Sequence, residues 1–110
     1  MTVRISNNYE DTTNFSDTTS TLTLATSTEL TVAVPGNASE PIQALFAYNS
    51  TSKVYVGYNV TAVVPGAGTV NNNQFIEYRP LKRFVKGGDV LSFITPDTDA
   101  NVGVSFRSLN

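Results

Sequence analysis

"TSTELTVAVPG", residues 26–36, decides between a helical and a β reading of this chain. Its first four residues fit a capping box, with a Thr at the cap position and Glu29 three residues on. The next residues do not continue as a helix. Leu30, Val32 and Val34 alternate with Thr31 and Ala33, and β-branched side chains fit a pleated strand better than a helix. Pro35-Gly36 then ends the run with turn chemistry: Pro presets φ at the first central position and Gly supplies positive φ at the second. The period of two reads as strand.

Working outward, the same period recurs. Leu22 and Leu24 alternate with Thr. Ile42, Ala44, Phe46 and Tyr48 form a face, and Leu45 and Ala47 make that strand apolar on both sides. Val54, Val56, Tyr58 and Val60 form another and are expected in the core, with Tyr55 and Gly57 opposite. Phe75–Tyr78, Val90–Ile94 and the set Val102, Val104, Phe106 complete the series. No stretch of a dozen residues carries helical periodicity. Seven or more short strands with turn signals between them predict an all-β fold, an antiparallel β-sandwich of Greek-key or jelly-roll-like topology. "YNSTSK" (48–53) and "KGGD" (86–89) read as hairpin loops. "TAVVPG" (61–66) repeats the turn of "TVAVPG" (31–36) thirty residues on. Because the loops after the two turns do not match, the reading is shared turn chemistry at places where the chain crosses between sheets, with a decayed duplication as the alternative.

The totals narrow the function classes. At 110 residues the chain is one domain with room for one core. It contains no Cys and no His, so thiolate chemistry, disulfides and imidazole bases or ligands are excluded. It also has no Trp. No apolar run approaches a membrane span, and "MTVRISNNYEDTTNFSD" lacks the apolar centre of a secretory signal; the expectation is synthesis in a cytoplasm. The net charge of −2 is uneven. Residues 1–52 carry Arg4 against Glu10, Asp11, Asp17, Glu29 and Glu40, whereas residues 53–110 carry six basic and four acidic groups. That asymmetry can orient the protein against a neighbour but is too small for general nucleic-acid binding.

Residues 1–18 read as a polar N-terminal arm and residues 19–110 as the sandwich domain. The arm holds three isolated apolar residues, Val3, Ile5 and Phe15, too few to form a core. Either "TVRI" pairs as an edge strand of its own domain, or the arm lies on a neighbouring subunit.

Few constellations suggest chemistry. "PDTDAN" sets Asp97, Asp99 and Asn101 at alternate positions, as in the first half of a calcium loop, but Val102 and Ser108 occupy the positions where such a loop needs Gly and Glu. An Asx-turn leading into the last strand is the simpler reading. "RPLKRFVK" (79–86) gathers Arg79, Lys82, Arg83 and Lys86, four of the seven basic residues. It reads either as a grip on an anionic partner or as a solvated loop whose charges protect a sheet edge. Tyr55 is off-phase from its strand's apolar face; its ring is a candidate protein or sugar contact, or faces a second layer. Asn14, Asn37, Asn49 and Asn59 open N-x-Ser/Thr triplets. Nothing here defines a catalytic, cofactor or metal site, and the chain is read as a non-enzyme.

The C-terminal stretch "FVKGGDVLSFITPDTDANVGVSFRSLN" (84–110) resembles the closing strands of small β-sandwich virion proteins of tailed bacteriophages. In those, a Gly-Asp turn enters a strand, a short polar loop comes next, and an alternating apolar strand ends the chain. The resemblance, with the Cys-free, Thr- and Asn-rich composition, implies a capsid decoration (cement) subunit located in the virion. Its implied partners are the major capsid protein or other virion proteins and further copies of itself, a trimer among the options, with no nucleic-acid or membrane partner. The candidate contacts are Val3, Ile5 and Phe15 of the arm, the basic group Arg79, Lys82, Arg83 and Lys86, and Tyr55. The alternative is a carbohydrate- or receptor-binding β-sandwich module using Tyr55.

Overall fold

Alternation of apolar and polar side chains sorts the chain into strands, and the computed structural model describes eight of them within residues 16–49, 51–65 and 75–109. They are β1 (Thr18–Ala25), β2 (Leu30–Ala33), β3 (Pro41–Tyr48), β4 (Tyr55–Tyr58), β5 (Ile76–Tyr78), β6 (Lys82–Lys86), β7 (Val90–Ile94) and β8 (Asp99–Ser108). No helix occurs among the described residues. One sheet has the order β1-β8-β3-β6 and the other β2-β7-β4-β5. All strand pairs are antiparallel.

The topology is that of a long hairpin rolled up. β1 pairs β8, β2 pairs β7, β3 pairs β6 and β4 pairs β5, while the β3–β8 and β4–β7 pairs join these ribbons side by side. This is a jelly roll, the two-sheet, eight-strand solution built from two Greek keys. Every connection between successive strands crosses from one sheet to the other except β4 to β5.

The core lies between the sheets and follows the period of two. Leu22 and Leu24 of β1, Ile42, Ala44 and Phe46 of β3, and Ala100, Val102, Val104 and Phe106 of β8 face Val56 of β4 and Leu91 and Phe93 of β7. Val54 and Val56 are buried as expected, Tyr58 packs against the core half-buried, and Val60 is only partly covered. The run from Leu30 follows the expected pattern only at its end: Val34, just after β2, is buried, Val32 is partly buried and Leu30 is exposed.

Four readings of the turns change. "YNSTSK" and "KGGD" are not hairpin loops. The first leads from β3 in one sheet to β4 in the other, and the second leads from β6 to β7 across the same gap. Turn residues fix where the chain reverses, not which sheet the next strand joins. Gly36 does take positive φ, 102°, where the chain crosses from β2 to β3. The second Pro-Gly pair differs: it lies between β4 and β5, which share a sheet, and its Gly66 lies outside the described residues. "PDTDAN" is held by distant partners and by a local bond from the Asp97 N–H to the Thr95 hydroxyl at 3.1 Å, not by an Asx-turn. The Asp97 carboxylate accepts the Lys53 N–H at 2.7 Å, and the Asp97 carbonyl accepts the Thr26 hydroxyl at 2.8 Å.

Close approaches of backbone fix two glycines. A Cβ on Gly87 would sit 2.0 Å from the Asn37 carbonyl oxygen, where the β2–β3 and β6–β7 crossings touch. A Cβ on Gly57 would sit 2.5 Å from the Val60 carbonyl oxygen. The segment after β4 folds back there, and its Ala62 N–H donates to the Ser92 hydroxyl at 2.9 Å.

Candidate interaction surface on the β5–β6 side

β5 and β6 are edge strands of opposite sheets, so between them the sandwich has an open side. β6 is the segment "KRFVK", read from sequence as a loop; it is a strand, paired with β3 from Lys82 opposite Leu45 to Lys86 opposite Pro41. Three cations in five residues hide its period, but Val85 is buried in the core while its neighbours are exposed. Cationic side chains on such an edge also deter unwanted strand pairing.

The basic group divides according to this phase. Arg83 lies on the same face as Val85 and reaches across the open side, where its Nε donates to Glu77 Oε1 of β5 at 2.7 Å. Lys82 and Lys86 are exposed on the alternate phase, with Phe84 between them. Arg79 does not join them. It has positive φ (46°), its guanidinium lies 4.8 Å from the centre of the Tyr48 ring, and it donates to the Ser52 carbonyl. The Tyr48 hydroxyl donates to the Pro80 carbonyl, and burial pushes its phenol pKa up. Arg79 therefore orders the β5–β6 connection.

Beneath the Arg83–Glu77 bridge is a groove of about 220 Å³. Its floor is core, formed by Phe46, Val56, Val85 and Leu91, and Phe75 and Phe84 stand at its rim. At the rim Phe75 is 46% exposed and Phe84 76%; Leu81, between β5 and β6, is 67% exposed, and Tyr78, 54% exposed, lies on the outer face of the second sheet. Phe75 and Phe84 thus give the groove an exposed apolar rim, and Lys82 and Lys86 flank Phe84 along β6. Apolar area with a polar border is the composition of a protein–protein contact.

Tyr55 stands on the outer face of the second sheet, opposite Tyr78 in register, with ring centres 5.3 Å apart at 54°. The stack leaves Tyr55 half-buried and Tyr78 as the exposed ring. Val3, Ile5 and Phe15 lie outside the described residues. Asp17 and Thr18, at the end of the segment read as the arm, belong to the sheet: Thr18 opens β1, the Asp17 N–H donates to the Phe106 carbonyl, and its carboxylate accepts the Ser108 N–H.

Sequence reasoning does not single out Phe75, Glu77, Tyr78 or Leu81 as contacts. Phe75 and Tyr78 look like the core of a strand, but Tyr78 lies on the outer face with Tyr55 and Phe75 stands at the open groove. No group of three or more Asp and Glu side chains that could hold a metal occurs among the described residues. The chain matches no model of a known protein family, no curated protein and no solved structure.

Proposed function

We propose that this chain is a structural adhesion subunit of a tailed-phage particle, a capsid decoration protein that grips neighbouring lattice subunits through its β5–β6 side. The observation that carries the reading is the exposed pair Phe75 and Phe84 at the rim of an open groove, with Leu81 exposed between their strands and Lys82 and Lys86 flanking Phe84. A lone domain gains nothing by leaving those rings in water, whereas a partner surface that covers them removes apolar area from solvent. The resemblance of residues 84–110 to closing strands of virion proteins supports the choice of partner, and the jelly roll, a fold used by viral capsid and lectin domains, is compatible with it. The mechanism is adhesion. Contacts of modest strength, repeated over many copies, stiffen a lattice without individually tight sites.

Co-sedimentation of the purified chain with tailed-phage particles stripped of decoration protein tests this. The expected result is saturable binding that falls at least tenfold in the double variant Leu81→Ser, Phe84→Ser, whose exposed positions leave the fold unchanged. Unsaturable binding, or binding indifferent to both substitutions, overturns it. The Tyr55–Tyr78 stack favours a second reading, a glycan-binding face on the outer side of the second sheet. Glycan-array binding lost with Tyr78→Ala and kept in the Leu81, Phe84 double variant would select it.

A further inference from the structure

The two open sides of the sandwich are built differently. On the β5–β6 side the strands carry Glu77, Lys82, Arg83 and Lys86. On the opposite side, β1 (TTSTLTLA) and β2 (LTVA) contain no charged residue and no proline. β1 is also long for an edge. All eight of its residues pair with β8 in unbroken register, and among the described residues no strand pairs with its other side. Leu22 and Leu24 point into the core, while Thr19, Thr21 and Thr23 are exposed.

An uncovered edge presents a row of backbone donors and acceptors, which proteins ordinarily blunt with charge, proline, bulges or short length. β6 is blunted by its cations, and β5 and β2 are short, with three and four residues. β1 has none of these protections. We propose that β1 is an assembly edge whose occupant is β1 of a second copy, antiparallel about a two-fold axis. The sheet then runs through both subunits in the order β6-β3-β8-β1 and its mirror.

Charge selects this occupant. A two-fold contact sets each side chain against the same strand of the partner. For β6 that would bring Lys82, Arg83 and Lys86 against their own kind. For β1 it brings Thr against Thr, a favourable cross-strand pair with no like charges. An edge lined by Thr offers no pocket or charge to select a foreign sequence, but it is complementary to itself. Because β1 and β6 bound the same sheet at opposite ends, the dimer leaves both β6 edges facing away from the axis. The dimer does not depend on what the β5–β6 side binds.

The test is sedimentation velocity on the full chain across a concentration series. The expected species is a dimer. Both Thr21→Lys, Thr23→Lys and Thr21→Glu, Thr23→Glu should be monomers at concentrations where the parent is a dimer, with melting that matches the parent's at its monomeric concentrations, and an equimolar mixture of the two should form dimers again. Amide exchange on the unsubstituted chain is a second measurement: alternate β1 amides should slow at least tenfold on going from monomeric to dimeric concentrations. A monomer at all concentrations up to the millimolar range, an oligomer indifferent to β1 charge, or β1 exchange independent of concentration would each overturn the proposal.

Discussion

Arg83 Nε stands 2.7 Å from Glu77 Oε1, and this ion pair spans the open side between strands of two different sheets. Its position suggests a fastener, but its exposure argues otherwise. The two side chains are 49% and 48% exposed, and pairs in water contribute only about 0–1 kcal/mol. Arg83→Gln should therefore shift the denaturant midpoint little, by the equivalent of less than about 1 kcal/mol. If the β5–β6 side docks a partner, the same substitution should weaken that binding and its salt dependence. Equilibrium urea unfolding beside a binding titration separates the two effects.

The core makes the contrasting case. Val56 is buried at the floor of the groove with Leu91 and Phe46, so Val56→Ala loses buried methyl groups and leaves a cavity. The expected cost is roughly 1–3 kcal/mol. Tyr55→Ala, one residue away on the outer face, removes a stacked ring pair worth about 0.5–1.5 kcal/mol beyond its area. Urea midpoints for both variants test the strand's phase, and no loss on Val56→Ala would mean that the phase is wrong.

The order of the two adjacent glycines in "KGGD" is a sharper test of the crossing geometry. Gly88 takes φ of 91° but has open space around a Cβ, so Gly88→Ala incurs only backbone strain, about 1–2 kcal/mol. At Gly87 the Cβ would lie 2.0 Å from a backbone carbonyl of another loop, and one of the two crossings must move. Gly87→Ala should cost about 3 kcal/mol, the upper end of overpacking penalties. Thermal unfolding should rank Gly87→Ala well below Gly88→Ala; equal melting temperatures would refute the contact.

Leu22, Leu24, Ile42, Phe46, Val102 and Val104 are legible from period two alone, because one buried face writes itself into the sequence. The strand pairing is not. β1 and β8 meet with Thr18 opposite Phe106, and no local pattern encodes a partner so far along the chain. β6 escapes a sequence reading because exposed edges tolerate charge. Lys82, Arg83 and Lys86 obscure a single buried residue, Val85. The interaction surface is half legible. The cations stand out in the sequence, but Phe75 is exposed through the open side beside the edge strand β5, a property of topology, and Tyr78 through its place on the outer face beside Tyr55.

One source of pH dependence in stability is Asp89, which closes the β6–β7 crossing. Burial would raise its pKa, but three donors outweigh that: the Tyr58 hydroxyl at 2.6 Å, the Lys86 N–H at 2.8 Å and the Asn59 amide at 3.2 Å. The net effect holds the carboxyl below its ordinary value of 3.8. A depressed acid stabilises the fold above the unfolded pKa, and that contribution is lost as pH falls through the lower folded value. Tyr58 shows the other half of the same bond. Donating to Asp89, with burial adding to it, raises the phenol above 10.0. That contribution is fully present below pH 10.0 and disappears as pH rises through the raised value. Asp89→Asn should therefore lower stability near neutrality and flatten both the acid limb below about pH 4 and the alkaline limb above pH 10.0. Tyr58→Phe should flatten the alkaline limb and only partly reduce the acid one, since the Lys86 and Asn59 donors remain. Urea midpoints measured from about pH 3 to about pH 11 give both limbs, and an acid limb unchanged in Asp89→Asn would show that another carboxylate controls it.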